Sequence, residues 1–234
     1  MTRAIRSLRA ALPVGLALVA VVGCAGACGR QPAATHTASA RAAARPGEVS
    51  PSVGDSCAAY PPQQTSPYVL PWRVGEAHLV WRTRAHYARG NGGVGLYAID
   101  FEMPIGTPVV AARSGVVVAV RDSFPDGNNE DLKENFVFVR HADGTVARYF
   151  HLTRGGARVA LGDSVRQGQV IALSGNSGQT AGPHLHFDVQ RCGPNLPPAY
   201  NALPCGQTVP VTFRNTAPHP CGLVPGVRYL ARPD

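Results

Sequence analysis

The chain has 234 residues, enough for one ordinary domain with tails, and its formal net charge is +8. Basic clusters with interleaved aromatic residues do not occur, which argues against a nucleic-acid-binding protein. The first 23 residues hold three arginines and no acidic residue, so the remaining chain carries +5. Outside the cytoplasm, such a charge favours anionic polymers or membrane surfaces as partners.

The N-terminal 23 residues have the pattern of a signal peptide. Arg3, Arg6 and Arg9 form a basic start, and residues 10–22 form an apolar run too short to span a bilayer as a mature helix. The sequence that ends at Cys24 (Val-Val-Gly-Cys) resembles a bacterial lipobox, in which the cysteine is lipidated after cleavage. We therefore predict an exported chain in the cell envelope, anchored to the membrane through Cys24. Cys28 is a poorer anchor, and ordinary secretion is the alternative.

Residues 24–66 are predicted to form a flexible tether. The segment is rich in Ala, Pro, Ser, Thr and Gln and shows little apolar periodicity. Such a composition buries too little surface to offset the entropy lost on ordering. It suits a connection between a membrane anchor and a domain over residues 67–190. Cys57 falls inside the segment and suggests that its far end is held in place.

Short β-prone runs separated by turn signals dominate the predicted domain. The runs rich in Val, Ile and Phe span residues 109–112, 116–120, 136–139 and 170–173. Glycine-containing turns separate them, for example Asp143-Gly144. No long amphipathic helix follows the signal. The pattern predicts an all-β fold, an open and mostly antiparallel β-sandwich or barrel.

Residues 191–234 are predicted to form an extension that packs on the sheet. The segment is dense in Pro, Asn and Gly and contains one β-prone run, 208–213, in which Pro210 indicates an edge strand. After Cys24 and Cys28, an even number of cysteines remains, which in an exported chain predicts two disulfides with three possible pairings. These cysteines are Cys57, Cys192, Cys205 and Cys221. A zinc ribbon is disfavoured because no Cys-X-X-Cys pair occurs.

The segment His184-Leu185-His186-Phe187-Asp188 is the most informative part of the chain. If it is a strand, both imidazoles point to the same face of the sheet. An isolated His-X-His motif is more often a pair of solvated or core histidines. The segments that precede this one favour a polar site instead.

These preceding segments follow one another in a defined order over about residues 92–189. They are Tyr-Ala-Ile-Asp-Phe (97–101), Pro-Ile-Gly-Thr-Pro-Val (104–109), Ser-Gly-Val-Val (114–117), Arg-His-Ala-Asp-Gly (140–144), Tyr-Phe-His-Leu (149–152), Gly-Asp-Ser-Val (162–165) and Gly-Gln-Val-Ile-Ala-Leu-Ser-Gly (168–175). Together with the His-X-His segment, the series resembles the lysostaphin/LytM-type zinc peptidases of family M23, and the chain is identified as a divergent member. The resemblance implies a LytM-type β fold with a substrate groove across one sheet.

The resemblance also implies a Zn²⁺ cofactor and roles for four residues. Asp100 and His186 correspond to two zinc ligands of the family. His151 and His184 correspond to the residues that act as acid, base or oxyanion partner. A hydrolytic zinc site usually has three protein ligands and one open position.

The family pattern is incomplete at Leu96. The family has a ligand histidine four residues before the aspartate, and leucine cannot bind zinc. His86 begins a glycine-rich segment, 86–93, and resembles the arrangement of relatives whose histidine lies farther upstream. It is therefore the candidate third ligand, with an ordinary loop histidine as the alternative. His78 lies in an apolar, β-prone segment and is the weaker candidate.

Three functions agree with these features. The first is an exported zinc endopeptidase that cleaves peptide bonds in bacterial peptidoglycan. The second is a catalytically degenerate domain that binds cell wall or regulates another wall hydrolase, and the third is a structural envelope lipoprotein. Leu96 separates the first two, because two ligands alone would hold zinc weakly, whereas His86 would complete the site.

Overall fold

The structure, a computed structural model, describes residues 57–83, 95–191 and 208–234. In these ranges it contains ten strands and two 3-10 helices, Cys57–Ala59 and Gln63–Thr65. The strands are β1 Ala77–Thr83, β2 Ile99–Glu102, β3 Pro108–Val110, β4 Gly115–Arg121, β5 Phe136–Arg140, β6 Val146–Phe150, β7 Ser164–Val165, β8 Val170–Leu173, β9 His184–Gln190 and β10 Arg228–Leu230. Neither helix has the length or apolar character needed to cross a bilayer. The predicted all-β fold is confirmed.

Eight of these strands form one sheet in the order β10-β1-β2-β9-β6-β5-β4-β7, and β3 pairs with β8 in a second sheet. All of the strand pairs are antiparallel. The strand that carries the His-X-His motif, β9, lies between β2 and β6, and all seven of its residues are buried. Hydrogen bonding on both sides holds its side chains in defined positions.

Alternation along the three central strands separates a core face from a polar face. On β9, Leu185, Phe187 and Val189 enter the main hydrophobic core, which also holds residues of β3 and β8. Because successive side chains point to opposite faces, His184, His186 and Asp188 lie together on the other face. Strands β2 and β6 repeat the pattern. They add Asp100 and Glu102 from β2, and Arg148 and Phe150 from β6, to the polar face.

The C-terminal segment is part of this fold. Strand β10 pairs with β1, and Phe213 and Tyr229 belong to the main core. The predicted strand over 208–213 is wrong, because only Thr208 makes an isolated bridge, to Gln190, and residues 209–213 are in no strand. Pro210 has no backbone N–H to donate to a ladder, which agrees with this outcome.

Contacts with the C-terminal segment position the far end of the predicted tether. The Gln63 side-chain amide donates hydrogen bonds to the carbonyl groups of Phe213, Thr216 and Ala217, at 3.1, 3.1 and 3.2 Å. A disulfide joins Cys57 to Cys221. This disulfide is one of the two predicted, and it identifies the partner of Cys57. The other two cysteines, Cys192 and Cys205, lie outside the described residues.

Candidate active site

Four of the predicted site residues meet on the polar face of the central strands. Asp100 of β2 lies directly opposite His186 of β9, and His186 Nδ1 is 2.9 Å from Asp100 Oδ1. His184 Nε2 is 3.7 Å from the same oxygen. The ring of His151, which follows β6, lies 4.5 Å from the His184 ring and 6.0 Å from the His186 ring, centroid to centroid. All four side chains are buried, so they form one compact cluster.

A second carboxylate orients the ring of His186. Its Nε2 lies 3.1 Å from Asp188 Oδ2, and Asp188 accepts two hydrogen bonds from the Arg148 guanidinium, at 2.7 and 2.6 Å. Burial by itself raises the pKa of the Asp188 carboxyl, but the charge of Arg148 and the hydrogen bond from His186 outweigh burial and lower it. Sequence reasoning assigned no role to Asp188 or Arg148. The available signal was the position of Asp188 two residues after His186, on the same strand face.

This orientation creates a place for a cation. If His186 donates Nε2–H to Asp188, its Nδ1 and the Asp100 oxygen are two buried acceptors 2.9 Å apart, and a cation between them would stabilise both. A proton can be that cation. Burial lowers the pKa of His186, but the hydrogen bonds to Asp100 and Asp188 outweigh the effect of burial and raise the pKa to about 9. Imidazole nitrogen and carboxylate oxygen are also preferred donors to zinc, and a carboxylate behind the ring is a common feature of zinc sites. The pair therefore fits a zinc ion.

Backbone carbonyl groups orient the other two histidines. His151 Nδ1 donates to the carbonyl of Ser177, and His184 Nδ1 donates to the carbonyl of Gly182, both at 2.8 Å. In the neutral form of each ring, Nε2 therefore carries the lone pair. Burial, together with the nearby His184 and His186, lowers the pKa of His151 to about 3, so its ring is neutral at pH 7. The Nε2 lone pair of a neutral ring can accept a hydrogen bond or a proton.

A buried network supports the turn that presents His151. The residue has a φ of 61°, a left-handed conformation that costs a non-glycine residue on the order of 1 kcal/mol. The carbonyl of the next residue, Leu152, accepts hydrogen bonds from Asn135 Nδ2 at 3.0 Å and from Ser177 Oγ at 2.7 Å. Ser177 Oγ in turn accepts the backbone N–H of Asn135 at 2.9 Å. These bonds hold the strained turn in place.

Of the remaining metal-ligand candidates, His78 lies within the described residues and does not join this cluster. His86 lies outside the described residues. His78 lies in β1, where its Nδ1 is 3.2 Å from the carbonyl oxygen of Glu102 and its ring packs against Trp72. Within residues 57–83, 95–191 and 208–234, no group of three or more His, Cys, Asp or Glu side chains is placed to hold a metal ion. Asp100 and His186 thus supply two donors.

The match to known proteins covers the same part of the chain. The sequence model of peptidase family M23 matches residues 95–198. The peptidoglycan DD-endopeptidase ShyA of Vibrio cholerae is 38% identical over 111 residues, which are 47% of this chain and 24% of ShyA. Lysostaphin of Staphylococcus simulans is 42% identical over 99 residues, which are 42% of this chain and 18% of that protein. The chain therefore spans less than a third of the length of these relatives.

Solved structures include a similar domain. The catalytic domain of lysostaphin from Staphylococcus simulans is 32% identical, with a TM-score of 0.36, and the alignment covers 49% of this chain and 79% of that domain. The residues that the family model matches include Asp100, His151, His184 and His186. The chain therefore belongs to peptidase family M23 through the domain that builds this cluster, which the family model matches over residues 95–198.

Proposed function

We propose that this chain is an exported zinc endopeptidase that cleaves peptide bonds in bacterial peptidoglycan. The observation that carries the proposal is the cluster in which the Asp100–His186 donor pair adjoins two carbonyl-oriented histidines, His151 and His184. Metal-assisted hydrolysis needs metal donors beside groups that transfer protons. The similarity to ShyA, a peptidoglycan DD-endopeptidase by name, supports the substrate class.

Asp100 and His186 would hold the zinc, with His86 as the proposed third ligand. A zinc ion there would act as a Lewis acid that polarises the scissile carbonyl and lowers the pKa of the attacking water. His151 and His184 would accept the proton of that water, donate one to the leaving amine, or stabilise the developing oxyanion. Asp188 and Arg148 would keep the His186 ring in the orientation that ligation needs.

The proposed location is the cell envelope. Residues 1–23 would be removed as a signal peptide, and lipid on Cys24 would be the protein's contact with the membrane. Residues 24–66 would tether the peptidase domain, which spans residues 67–190. The extension over residues 191–234 would complete that domain. The Cys57–Cys221 disulfide supports export, because disulfides persist mainly in oxidising compartments.

A degenerate domain that binds cell wall or regulates another wall hydrolase is the second candidate. Leu96 stands where the family has a ligand histidine, and the described residues supply two metal donors. With only two ligands, zinc would bind weakly. The domain would then keep its substrate groove but would not hydrolyse peptide bonds.

Metal content and wall hydrolysis, measured on the same preparation, separate these candidates. We expect the purified protein to hold about one zinc ion per chain and to release new amino termini from purified peptidoglycan. His86→Ala should lose the zinc, whereas His78→Ala, the matched control, should keep it. Zinc near zero together with retained wall binding would favour the degenerate domain. A protein with neither zinc nor affinity for wall peptides would be a structural lipoprotein.

A further inference from the structure

A cavity of about 420 Å³ opens beside the histidine cluster. The residues that line it include Trp81, Glu102 and Pro104, and also Ala181, Gly182 and Pro183. Gly182 is the residue whose carbonyl orients His184, and the ring of Trp81 lies 5.4 Å from the ring of His184. Any group bound in this cavity would therefore lie next to the proposed reaction centre.

Glu102 gives the cavity a negative charge. In the antiparallel pair of β2 and β9 it lies directly opposite His184, which places the two Cβ atoms about 5 Å apart on the same face. Glu102 is exposed, and within the described parts of the chain its carboxylate makes no hydrogen bond or ion pair. Among the described residues, Glu102 is therefore an unpaired negative charge at the edge of the site.

The aromatic wall strengthens the attraction that this carboxylate exerts. Trp81 is half-buried and presents apolar surface to the cavity, which displaces water and lowers the local dielectric constant. The guanidinium of Arg82 lies over the Trp81 ring, 5.2 Å from its centroid, and does not pair with Glu102. The walls thus combine one carboxylate with apolar surface, a combination suited to a cation on an aliphatic stem.

We propose that Glu102 and Trp81 form a subsite for a protonated primary amine of the peptide substrate, adjacent to the bond that is cleaved. The proposal rests on the proposed endopeptidase function and narrows its substrate class. Stem peptides of peptidoglycan contain diamino acids, and the side-chain amine of such a residue is an ammonium group when it is not cross-linked. The subsite would select peptides that present this free amine over peptides in which it is acylated.

A pair of synthetic wall peptides tests this. One contains a lysine, and the other is identical except that the lysine side chain is acetylated. We expect the full chain to bind the lysine peptide about five- to tenfold more tightly in calorimetric titrations, with a preference that shrinks as salt rises. Glu102→Gln should reduce the affinity ratio to about one, and Glu102→Asp should retain part of it. Glu130→Gln removes a surface carboxylate that pairs with Lys133, and this control should keep the full ratio.

The outcomes distinguish the subsite from the proposed function. A ratio of one in the wild-type protein, no measurable binding of the lysine peptide, or a preference that survives in Glu102→Gln would overturn the subsite. Thermal unfolding of each variant shows whether it is folded. Preferential binding without cleavage of either peptide would support the subsite and contradict the endopeptidase. If both peptides bind with equal affinity and are cleaved at equal rates, the result would support the endopeptidase and refute the subsite.

Discussion

His186 lies between two buried carboxylates with different surroundings. Asp188 is paired with the Arg148 guanidinium, whereas Asp100 faces Nδ1 of the ring. His184, two residues away on the same strand, is oriented by a carbonyl instead. Neighbouring residues of one motif therefore have different environments, and different roles follow from them.

Alanine substitutions at the two histidines should separate these roles. His184→Ala should abolish cleavage while zinc stays bound, because its proposed role is proton transfer. His186→Ala should lose both zinc and activity, because its proposed role is ligation. Zinc content by mass spectrometry and hydrolysis of wall peptides are the measurements. The two side chains lie on one face of β9, so a general folding defect would affect both variants alike. Equal zinc retention in both variants would contradict the assignment.

The Asp188–Arg148 pair should contribute to both stability and metal affinity. Asp188→Asn removes the carboxylate that pairs with the buried Arg148 guanidinium, which should lower the free energy of unfolding by about 3–5 kcal/mol. Loss of the carboxylate behind His186 should also weaken zinc binding by about 10- to 100-fold. Urea denaturation and competition with a chelator measure the two effects. Asp143→Asn breaks an exposed ion pair with Arg113 and is the control, with a loss of about 1 kcal/mol or less. Equal losses in the two variants would count against a special role for Asp188.

At the scale of elements, the three central strands carry the site and the C-terminal segment covers the core. The His219 side chain illustrates how that segment is held. Its Nε2 accepts the backbone N–H of Phe213 at 2.9 Å, and its Nδ1 donates to the carbonyl of Ala217 at 2.8 Å. The bond that Nε2 accepts requires the neutral ring, and burial lowers the pKa of His219. Sequence reasoning found no signal at this residue.

The stability of the protein should therefore depend on pH through His219. Its folded-state pKa lies below the unfolded value of about 6.5, so the unfolded chain binds the proton more readily. The stabilisation is present above that pH and is lost as the pH falls below it. Urea denaturation between pH 7.5 and 5 should show a steeper loss for the wild-type protein than for His219→Asn, which does not titrate. Parallel curves for the two proteins would show that His219 is not responsible.

At the scale of the whole molecule, residues on both sides of the family domain complete the fold. The segment around Cys57 and the segment around Cys221 are joined covalently across 164 residues of chain. Strand β10 extends the main sheet beyond β1, and Phe213 packs with Phe101 and Phe187 in the core. The domain matched by the family model therefore does not hold the whole core.

Removing the disulfide should destabilise this arrangement. The Cys57→Ser, Cys221→Ser double variant frees a long loop in the unfolded chain and should lower the free energy of unfolding by up to about 5 kcal/mol. Denaturant titration measures the change, and the wild-type protein under reducing conditions should approach the variant. If the protein is exported as proposed, the wild-type protein should contain no free thiol among Cys57, Cys192, Cys205 and Cys221. Thiol labelling of the unreduced, denatured protein that marks two or more of these residues would contradict this expectation.

Much of the fold could be predicted because its signals are local. The β-prone runs at 116–120, 136–139 and 170–173 became β4, β5 and β8, since residues that favour a pleated surface were bounded by turn residues. The alternation of His184, Leu185 and His186 placed both imidazoles on one face for the same reason. The run at 208–213 had the same local signal, but Pro210 and the path of the chain prevented pairing beyond Thr208.

The sequence by itself determined that the runs at 116–120, 136–139 and 170–173 form strands, which face of β9 carries histidines and which family the order of segments matches. Only the tertiary structure decided what those histidines contact. The pairing of β9 with β6 brings Arg148 to Asp188, and the pairing of β9 with β2 brings Asp100 to His186 and Glu102 to His184. Carbonyl groups of Ser177 and Gly182, which no side-chain pattern reveals, orient two of the rings. The physical reason is that strand propensity depends on neighbours in the chain, whereas strand pairing and backbone hydrogen bonds join residues far apart in it.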